Sequence, residues 1–550
     1  MKRRNFLQIF PSLGVTPFAL NGFSMRPFAN RRMAKLLSSC EDVEERTLVL
    51  IQLKGGNDGL NNVIPLAQYS RYATLRPTIG VAENKLVSLD STLSDRDKIG
   101  LHPSLTPVKA LYEKGMASIV QGVGYESMNQ SHFKGTDLWL TGGDSTPANF
   151  NLGSGWMGRS LQAMYPDVLG VPTTEMPDPL GLQIGDPNPS LGFHTETEHQ
   201  NVINLSGQDV AGFYSLIQTI GGAPIKNVPD SEHGEELDYI MSVERSVAKY
   251  AQRISEVFNA GSNAVTTYAN NGFANQLKTV ARLIRGGCKT KVFLCQLGGF
   301  DTHSGQVDLT DTSIGEHAEL LTTLAEGVKT FFDDLEAMGL SDKVMACTFS
   351  EFGRCAKENG SFGCDHGTLE PVFVFGKNVK AGVNGTNVNL SDLTNDNQLK
   401  GVQFDYRSIF TTLLQDWLGA SDYVLEQTMF DGFNKMPLVD AAAVAAPECY
   451  IGGTATSALE AGGMQRALTV FPNPATVIAE VSYESRSEFE GRLTLHSLGG
   501  TLVSAQNVRI APGANYFDVE VFSLPAGTYF ARLENRRTGG AEVVKVNVVK

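Results

Sequence analysis

The run Leu48-Val49-Leu50-Ile51-Gln52-Leu53 ends in Lys54-Gly55-Gly56-Asn57-Asp58-Gly59. A short β-branched and leucine-rich run without polar alternation reads as a strand buried on both faces, as in parallel sheets. The Gly-rich turn behind it stops the strand and leaves polar side chains at its end. The same grammar recurs. Ala117–Val123 leads into Gly124-Tyr125-Glu126-Ser127-Met128-Asn129-Gln130-Ser131-His132, and Val292–Leu297 into Gly298-Gly299-Phe300-Asp301-Thr302-His303. Val344–Phe349 leads into Ser350-Glu351-Phe352-Gly353-Arg354, and a fifth run, Pro371–Phe375, follows Asp365-His366-Gly367.

Helical stretches lie between these runs, notably Gly315–Met338 and Tyr406–Leu418, with apolar residues at helical spacing. Strand alternating with helix predicts an α/β fold, a mostly parallel sheet flanked by helices. Such a sheet carries its ligand site outside the carboxyl ends of its strands. Asp58, Ser131, Asp301, His303 and Glu351 all fall there. The stretch 173–275 lacks the strand-turn pattern and contains amphipathic runs such as Leu237–Val257, so it is expected to be an insertion capping the site.

At 550 residues the chain exceeds one ordinary core. Hydrophobic residues at 42% and charged residues at 19% suit globular domains. A formal net charge of -14 without any long Lys/Arg run excludes nucleic acid as an expected partner. The seven cysteines include no CxxC pair and are too sparse for a disulfide scaffold. Cys355 and Cys364 flank a Gly-containing loop, and their pairing is left open.

The two ends read differently from the middle. Lys2-Arg3-Arg4-Asn5-Phe6-Leu7-Gln8 precedes an apolar stretch from Ile9 to Leu20 broken by Pro11, Gly14 and Pro17. It resembles a twin-arginine signal. A membrane span needs about 20 predominantly apolar residues, so removal after export is expected, with no transmembrane anchor. From Ala441 small residues give a linker to about 466. Short alternating runs then predict a small antiparallel β-sandwich over 467–550. Phe471-Pro472-Asn473-Pro474-Ala475, Leu524-Pro525-Ala526-Gly527-Thr528-Tyr529 and a Val-rich end at Lys550 resemble the type A C-terminal sorting domain of type IX secretion cargo in Bacteroidetes. The expected organisation is a signal and N-terminal segment over 1–34, an α/β domain over 44–440, a linker over 441–466 and the sandwich over 467–550. The implied partners are the twin-arginine export and type IX secretion machineries, and the implied location is the cell surface or the medium.

Asp, His and Glu converging with a hydroxyl is the chemistry of metal-assisted ester hydrolysis. A serine near a cation gains nucleophilicity, and an arginine such as Arg354 offers a bidentate grip on an anionic ester. Taken in order, Gly55-Gly56-Asn57-Asp58-Gly59, Asn129-Gln130-Ser131-His132-Phe133, Gly299-Phe300-Asp301-Thr302-His303, Ser350-Glu351-Phe352-Gly353-Arg354 and Asp365-His366-Gly367 resemble the family called domain of unknown function 1501. That family is similar to the alkaline phosphatase and sulfatase superfamily. The resemblance implies Asp58, Asp301, His303, Asp365 and His366 as metal ligands and Ser131 as the nucleophile. Glu351 stands in the same set, and Arg354 is the expected substrate grip. The implied cofactor is a divalent metal, Zn, Mn, Mg or Ca, and the implied substrate a phosphate or sulfate ester. Glu351-Phe352 departs from the phosphatases, which carry an Asp-His pair there. The alternative is therefore a non-catalytic surface binding protein on a degenerate phosphatase-like fold. Plain structural uses also exist: Asp58 as a turn former, Ser131 as a helix N-cap, Glu351 paired with Arg354, and His132 and His317 as structural histidines. His194, His199 and His233 show no ligand spacing.

Overall fold

The opening apolar run forms strand β1, Thr47–Lys54, inside a nine-stranded sheet. Its side chains alternate between two cores, Leu48 and Leu50 on one face, Val49, Ile51 and Leu53 on the other. Period-two alternation with both faces apolar is why Leu48 to Leu53 is apolar at every position but Gln52. The remaining strands are β2 Ala117–Gly124, β3 Gly181–Ile184, β4 Val202–Leu205, β5 Val292–Gly298, β6 Val344–Phe349, β7 Glu370–Phe375, β8 Gly382–Asn384 and β9 Phe404–Asp405. Across the sheet the order is β8-β2-β7-β6-β1-β5-β3-β4, with β9 also pairing β2. Every pairing is parallel except the two made by β7.

In this computed structural model the described residues are 18–20, 23–25, 40–166, 168, 172–186, 188–195, 202–205, 250–452, 468–471, 475–485, 489–497, 502–511, 513–522, 524–535 and 541–549. The paired arginines of the expected signal, most of the stretch 196–249, His199 and His233 lie outside them. Contacts divide the chain into two units, Met1–Thr454 and Ala455–Lys550.

Helices cover both faces of the sheet. Helices α1 His132–Thr141, α2 Trp156–Met164 and α5 Tyr406–Thr412 bury Trp139, Trp156 and Phe410 in the core shared with Leu48. Helices α3 Gly272–Arg285 and α4 Glu316–Ala337 bury Leu277, Leu321 and Phe331 on the opposite face. Helix α4 buries Leu321, Leu324, Ala325, Val328, Phe331, Phe332 and Leu335, a three-four spacing that forms one apolar stripe. Asn271 caps α3 by accepting from the Ala274 amide at 2.8 Å.

Two expectations change, and one open pairing is resolved. The described part of 173–275 is no separate cap: it supplies β3 and the edge strand β4, and Tyr250, Ile254 and Phe273 are buried in the core under α4. Strands of four residues give little sequence signal, which hid them. The small residues after Ala441 do not begin a free linker, because Ala443, Ala445, Cys449 and Ile451 are buried against the α/β unit. Cys355 and Cys364 are separate thiols, whereas Cys40 and Cys449 form a disulfide across 409 residues of sequence.

The described residues of the second unit form seven antiparallel strands, β10 Thr469–Phe471, β11 Ile478–Ser485, β12 Phe489–Ser497, β13 Leu502–Ile510, β14 Gly513–Glu520, β15 Gly527–Asn535 and β16 Ala541–Val548. They form a three-stranded sheet, β10-β11-β14, and a four-stranded one, β13-β12-β15-β16. Val481, Leu495, Val519, Ala531 and Val546 share one core contributed by both sheets, as a sandwich requires.

Candidate metal centre

Four turns reach one edge of the sheet for a topological reason. Strands β1, β2, β5 and β6 end there, and β7, running antiparallel, begins there. Residues after β2, β5 and β6 and residues before β7 therefore meet. Gly55 and Gly56 make the meeting close. Gly55 has φ 123° and a Cβ on it would overlap the Phe300–Asp301 backbone; Gly56 has φ 76° and a Cβ would enter the Phe352 ring. Glycine alone tolerates both the dihedrals and the approach.

Three imidazoles point at one carboxylate oxygen. Asp301 Oδ1 lies 3.4 Å from His132 Nε2, 3.3 Å from His303 Nε2 and 3.6 Å from His366 Nε2. Each ring has its Nδ1 placed against an acceptor. His132 Nδ1 is 2.9 Å from Glu351 Oε1, His303 Nδ1 is 3.3 Å from Asp365 Oδ1, and His366 Nδ1 is 2.8 Å from the Gln130 carbonyl. With Nδ1–H donating in all three, each Nε2 presents a lone pair toward Asp301, the arrangement by which outer partners orient metal-bound histidines. The ligand atoms of His132, Asp301 and His366 all lie within 4.8 Å of one another.

The residues fit a cation. His132 Nε2 is buried and has no hydrogen-bond partner, and a buried acceptor without a donor is costly unless something else occupies its lone pair. Asp301, Glu351 and Asp365 each contact an imidazole of the cluster, and among the described residues only Asp301 is paired with a guanidinium, that of Arg354, which leaves an excess of negative charge for a divalent ion to neutralise. The Glu351 hydrogen bond, aided by the charges of Glu351 and Asp301, raises the His132 pKa. Burial lowers that of His366, with the Arg354 charge adding to it. Burial would raise the Asp301 carboxyl, but the hydrogen bond and charge of Arg354 outweigh it and hold Asp301 below the usual range.

Of the residues singled out from sequence, Asp301, His303 and His366 come together as ligand-like groups. Glu351, 2% exposed, stands behind His132, where it also accepts from the Gly55 amide at 2.9 Å. Asp365 stands behind His303 and accepts from Asn359 at 3.0 Å. Neither carboxylate takes the ligand position expected of it. Asp58 departs further. Its Oδ2 pairs with Arg76 at 2.6 Å and accepts from Gln306 at 2.6 Å, in a network with both ion-pair side chains fully buried. Arg76 is eighteen residues along the chain and carries no pattern that would announce this partner.

Arg354, expected to grip substrate, has its guanidinium bonded within the protein. Its guanidinium donates to the carbonyls of Gly55, Gly56, Phe300 and Cys364 and to Asp301 Oδ1 at 2.7 Å, so it ties three turns together. Ser131 sits at the N-cap position of α1 without capping it, and its side chain is exposed. The neighbouring residue, His132, is the one that enters the cluster; its signal was its place in the turn after β2. His317 is buried with Nε2 3.3 Å from Asn57 Oδ1.

Fold and site together define an α/β protein with a histidine–carboxylate cluster at the carboxyl edge of its sheet and a separate β-sandwich at its C-terminal side. The chain belongs to the family described as protein of unknown function (DUF1501), whose model matches residues 45–427. Residues 469–548 match the secretion system C-terminal sorting domain, which marks the protein for export to the cell surface or secretion in Bacteroidetes. Among the described residues no helix is long and apolar enough to cross a membrane. No curated protein matches the chain.

Solved structures similar to it include a lipoteichoic acid synthase of Listeria monocytogenes, at 9% identity over 75% of this chain and 81% of that one, TM-score 0.29. Others are a protein in the alkaline phosphatase superfamily from Vibrio parahaemolyticus, at 9% identity over 91% and 83%, TM-score 0.28, and a Bacteroides thetaiotaomicron protein from the metabolism of multiple glycosaminoglycans, at 8% identity over 91% and 90%, TM-score 0.30. These are distant resemblances, and the strand order itself establishes the architecture.

Proposed function

We propose that the protein is an exported metal-dependent hydrolase of an anionic ester, phosphate or sulfate, with His132, Asp301, His303 and His366 holding a divalent cation. The observation that carries this reading is the aim of three imidazole Nε2 atoms at one Asp301 oxygen, each ring held from behind at Nδ1. Three imidazoles with one carboxylate favour zinc over magnesium or calcium. A divalent ion bound there supplies Lewis acidity toward an ester oxygen and lowers the pKa of a water.

The chain's own groups do the rest. Glu351, Asp365 and the Gln130 carbonyl keep the rings in one tautomer, and Arg354 fixes the Asp301 carboxylate. Asp301 is half exposed and His303 is 44% exposed, so an ester can approach from solvent. The Ser131 hydroxyl, exposed beside His132, is the candidate nucleophile. The test is metal analysis of the purified full chain with a panel of phosphate and sulfate monoesters. Stoichiometric metal, turnover that a chelator removes, and loss of both in Asp301→Asn are expected; a protein with neither metal nor turnover overturns the reading.

One observation favours a second reading, a non-catalytic binding protein: the guanidinium expected to grip an ester is committed to backbone carbonyls. Bound metal without turnover across the panel, and ligand binding unchanged in Ser131→Ala, would support it.

A further inference from the structure

A groove of ≈ 720 Å³ shares a wall with the cluster. Gln130 lines it, and the Gln130 carbonyl is the group that takes His366 Nδ1–H. Gln398 lines it too, donating from Nε2 to the His366 carbonyl at 2.9 Å. The size suits a small organic ligand rather than a single ion or water.

The lining says what kind of ligand. Ser127, Gln130 and Thr394 offer hydroxyl and amide groups, which both donate and accept, and Gln398, whose Nε2 already donates to the His366 carbonyl and the Cys355 sulfur, offers Oε1 as an acceptor. Leu369, Leu399 and Val402 offer apolar surface between them. Among charged groups, Glu126 and Asp396 outnumber Lys400, and Lys400 Nζ already pairs with Asp392 at 2.8 Å. An anionic polymer would meet uncompensated carboxylates, which disfavour it. Ser127, at φ 56°, adopts a left-handed conformation uncommon for a residue with a side chain, and Asn397 beside Gln398 does so at φ 58°. Such conformations persist where surrounding structure enforces them and cluster at ligand sites.

A ligand that is uncharged, donates and accepts around its rim, and presents C–H faces for Leu and Val is a short saccharide. We propose that this groove is a binding subsite for a neutral oligosaccharide of about two or three rings, a size in keeping with ordinary ligand clefts. Ser127, Gln130, Thr394 and Gln398 meet its hydroxyls, and Leu399 and Val402 meet its ring faces. The subsite works whether or not the cluster holds a metal, so it stands apart from the hydrolase reading.

The experiment is calorimetric titration of the full chain with maltotriose, cellotriose and laminaritriose, and with trialanine as a neutral non-sugar of similar size. Each is run after chelation and again with added zinc. At least one trisaccharide is expected to bind in both conditions, with trialanine inert. Val402→Trp fills the groove and should weaken that binding at least about tenfold. Ser127→Gly removes one hydroxyl while accepting the positive φ without strain, so it keeps the fold and should weaken binding several-fold even if the Trp variant does not fold. No binding of any trisaccharide at millimolar concentration, binding of trialanine instead, or affinity unchanged in Ser127→Gly overturns the proposal. Loss of hydrolysis alone does not touch it.

Discussion

His303 Nε2 and His366 Nε2 lie 2.9 Å apart. Since Asp365 and the Gln130 carbonyl accept from the opposite nitrogens, two lone pairs face each other, and only a cation or a shared proton between them relieves the repulsion. Cation uptake should therefore release protons, and affinity should fall with acid, more so because Glu351 favours the protonated form of His132. Titration of zinc into chelated protein in weak buffer measures the release directly.

Glu351→Gln keeps the size of the side chain and removes the charge that orients His132. Loss of an outer partner of this kind typically lowers metal affinity about 10–100-fold. The expected result is that loss with the unfolding midpoint little changed. Affinity equal to wild type would mean that His132 is no ligand.

Arg76 and Asp58 form an ion pair with both side chains fully buried. Arg76→Met strands the Asp58 carboxylate without compensation and should cost about 3–5 kcal/mol, read from urea denaturation. Zinc stoichiometry of the folded fraction should stay as in wild type, because Asp58 pairs with Arg76 and Gln306 rather than with the three imidazoles and reaches their turn only through Gln306 and Thr302.

Burial, with the charge of His317, lowers the His102 pKa to about 3. Burial, with Arg76 and Arg354 and against Asp58, lowers that of His317 to about 4. In the unfolded chain both titrate near about 6.5, so between about pH 6.5 and 4 the unfolded state binds protons that the folded state refuses. The stability that depends on these neutral rings is complete above about pH 6.5 and is lost progressively as pH falls. Urea midpoints measured down this range should fall less steeply in His102→Asn than in wild type.

Cys40 and Cys449 join the two ends of the α/β unit across 409 residues. A link closing so long a loop restricts the unfolded chain strongly, and about 2–4 kcal/mol is the usual scale. Cys449→Ser should lower the unfolding temperature under oxidising conditions and become equivalent to wild type in reductant. A difference that persists in reductant would point to lost packing of Cys449 against Val43 and Ala445 instead.

What could be read from the chain alone was local. β1 is visible because it is a short, nearly unbroken apolar run, and the turns after β2, β5 and β6 are visible because Gly and polar residues interrupt such runs. The sorting domain is visible because its motifs are contiguous. The last two strands on one side of the sheet, β3 and β4, escaped, since four-residue strands leave too short a pattern to separate from loop.

The sequence by itself determined the sheet, the edge at which polar turns gather and the export address, because each depends on periodicity or on motifs a few residues long. Only the tertiary structure decided that His132 rather than Ser131 faces Asp301, that Asp58 belongs to Arg76, that Arg354 clasps backbone carbonyls and that Cys40 pairs with Cys449. Those outcomes are choices of partner, made between turns and termini far apart in the chain or, for Asp58 and Arg76, by how a buried network closes. A one-residue shift along a turn reverses which side chain points inward, and no local pattern records that direction.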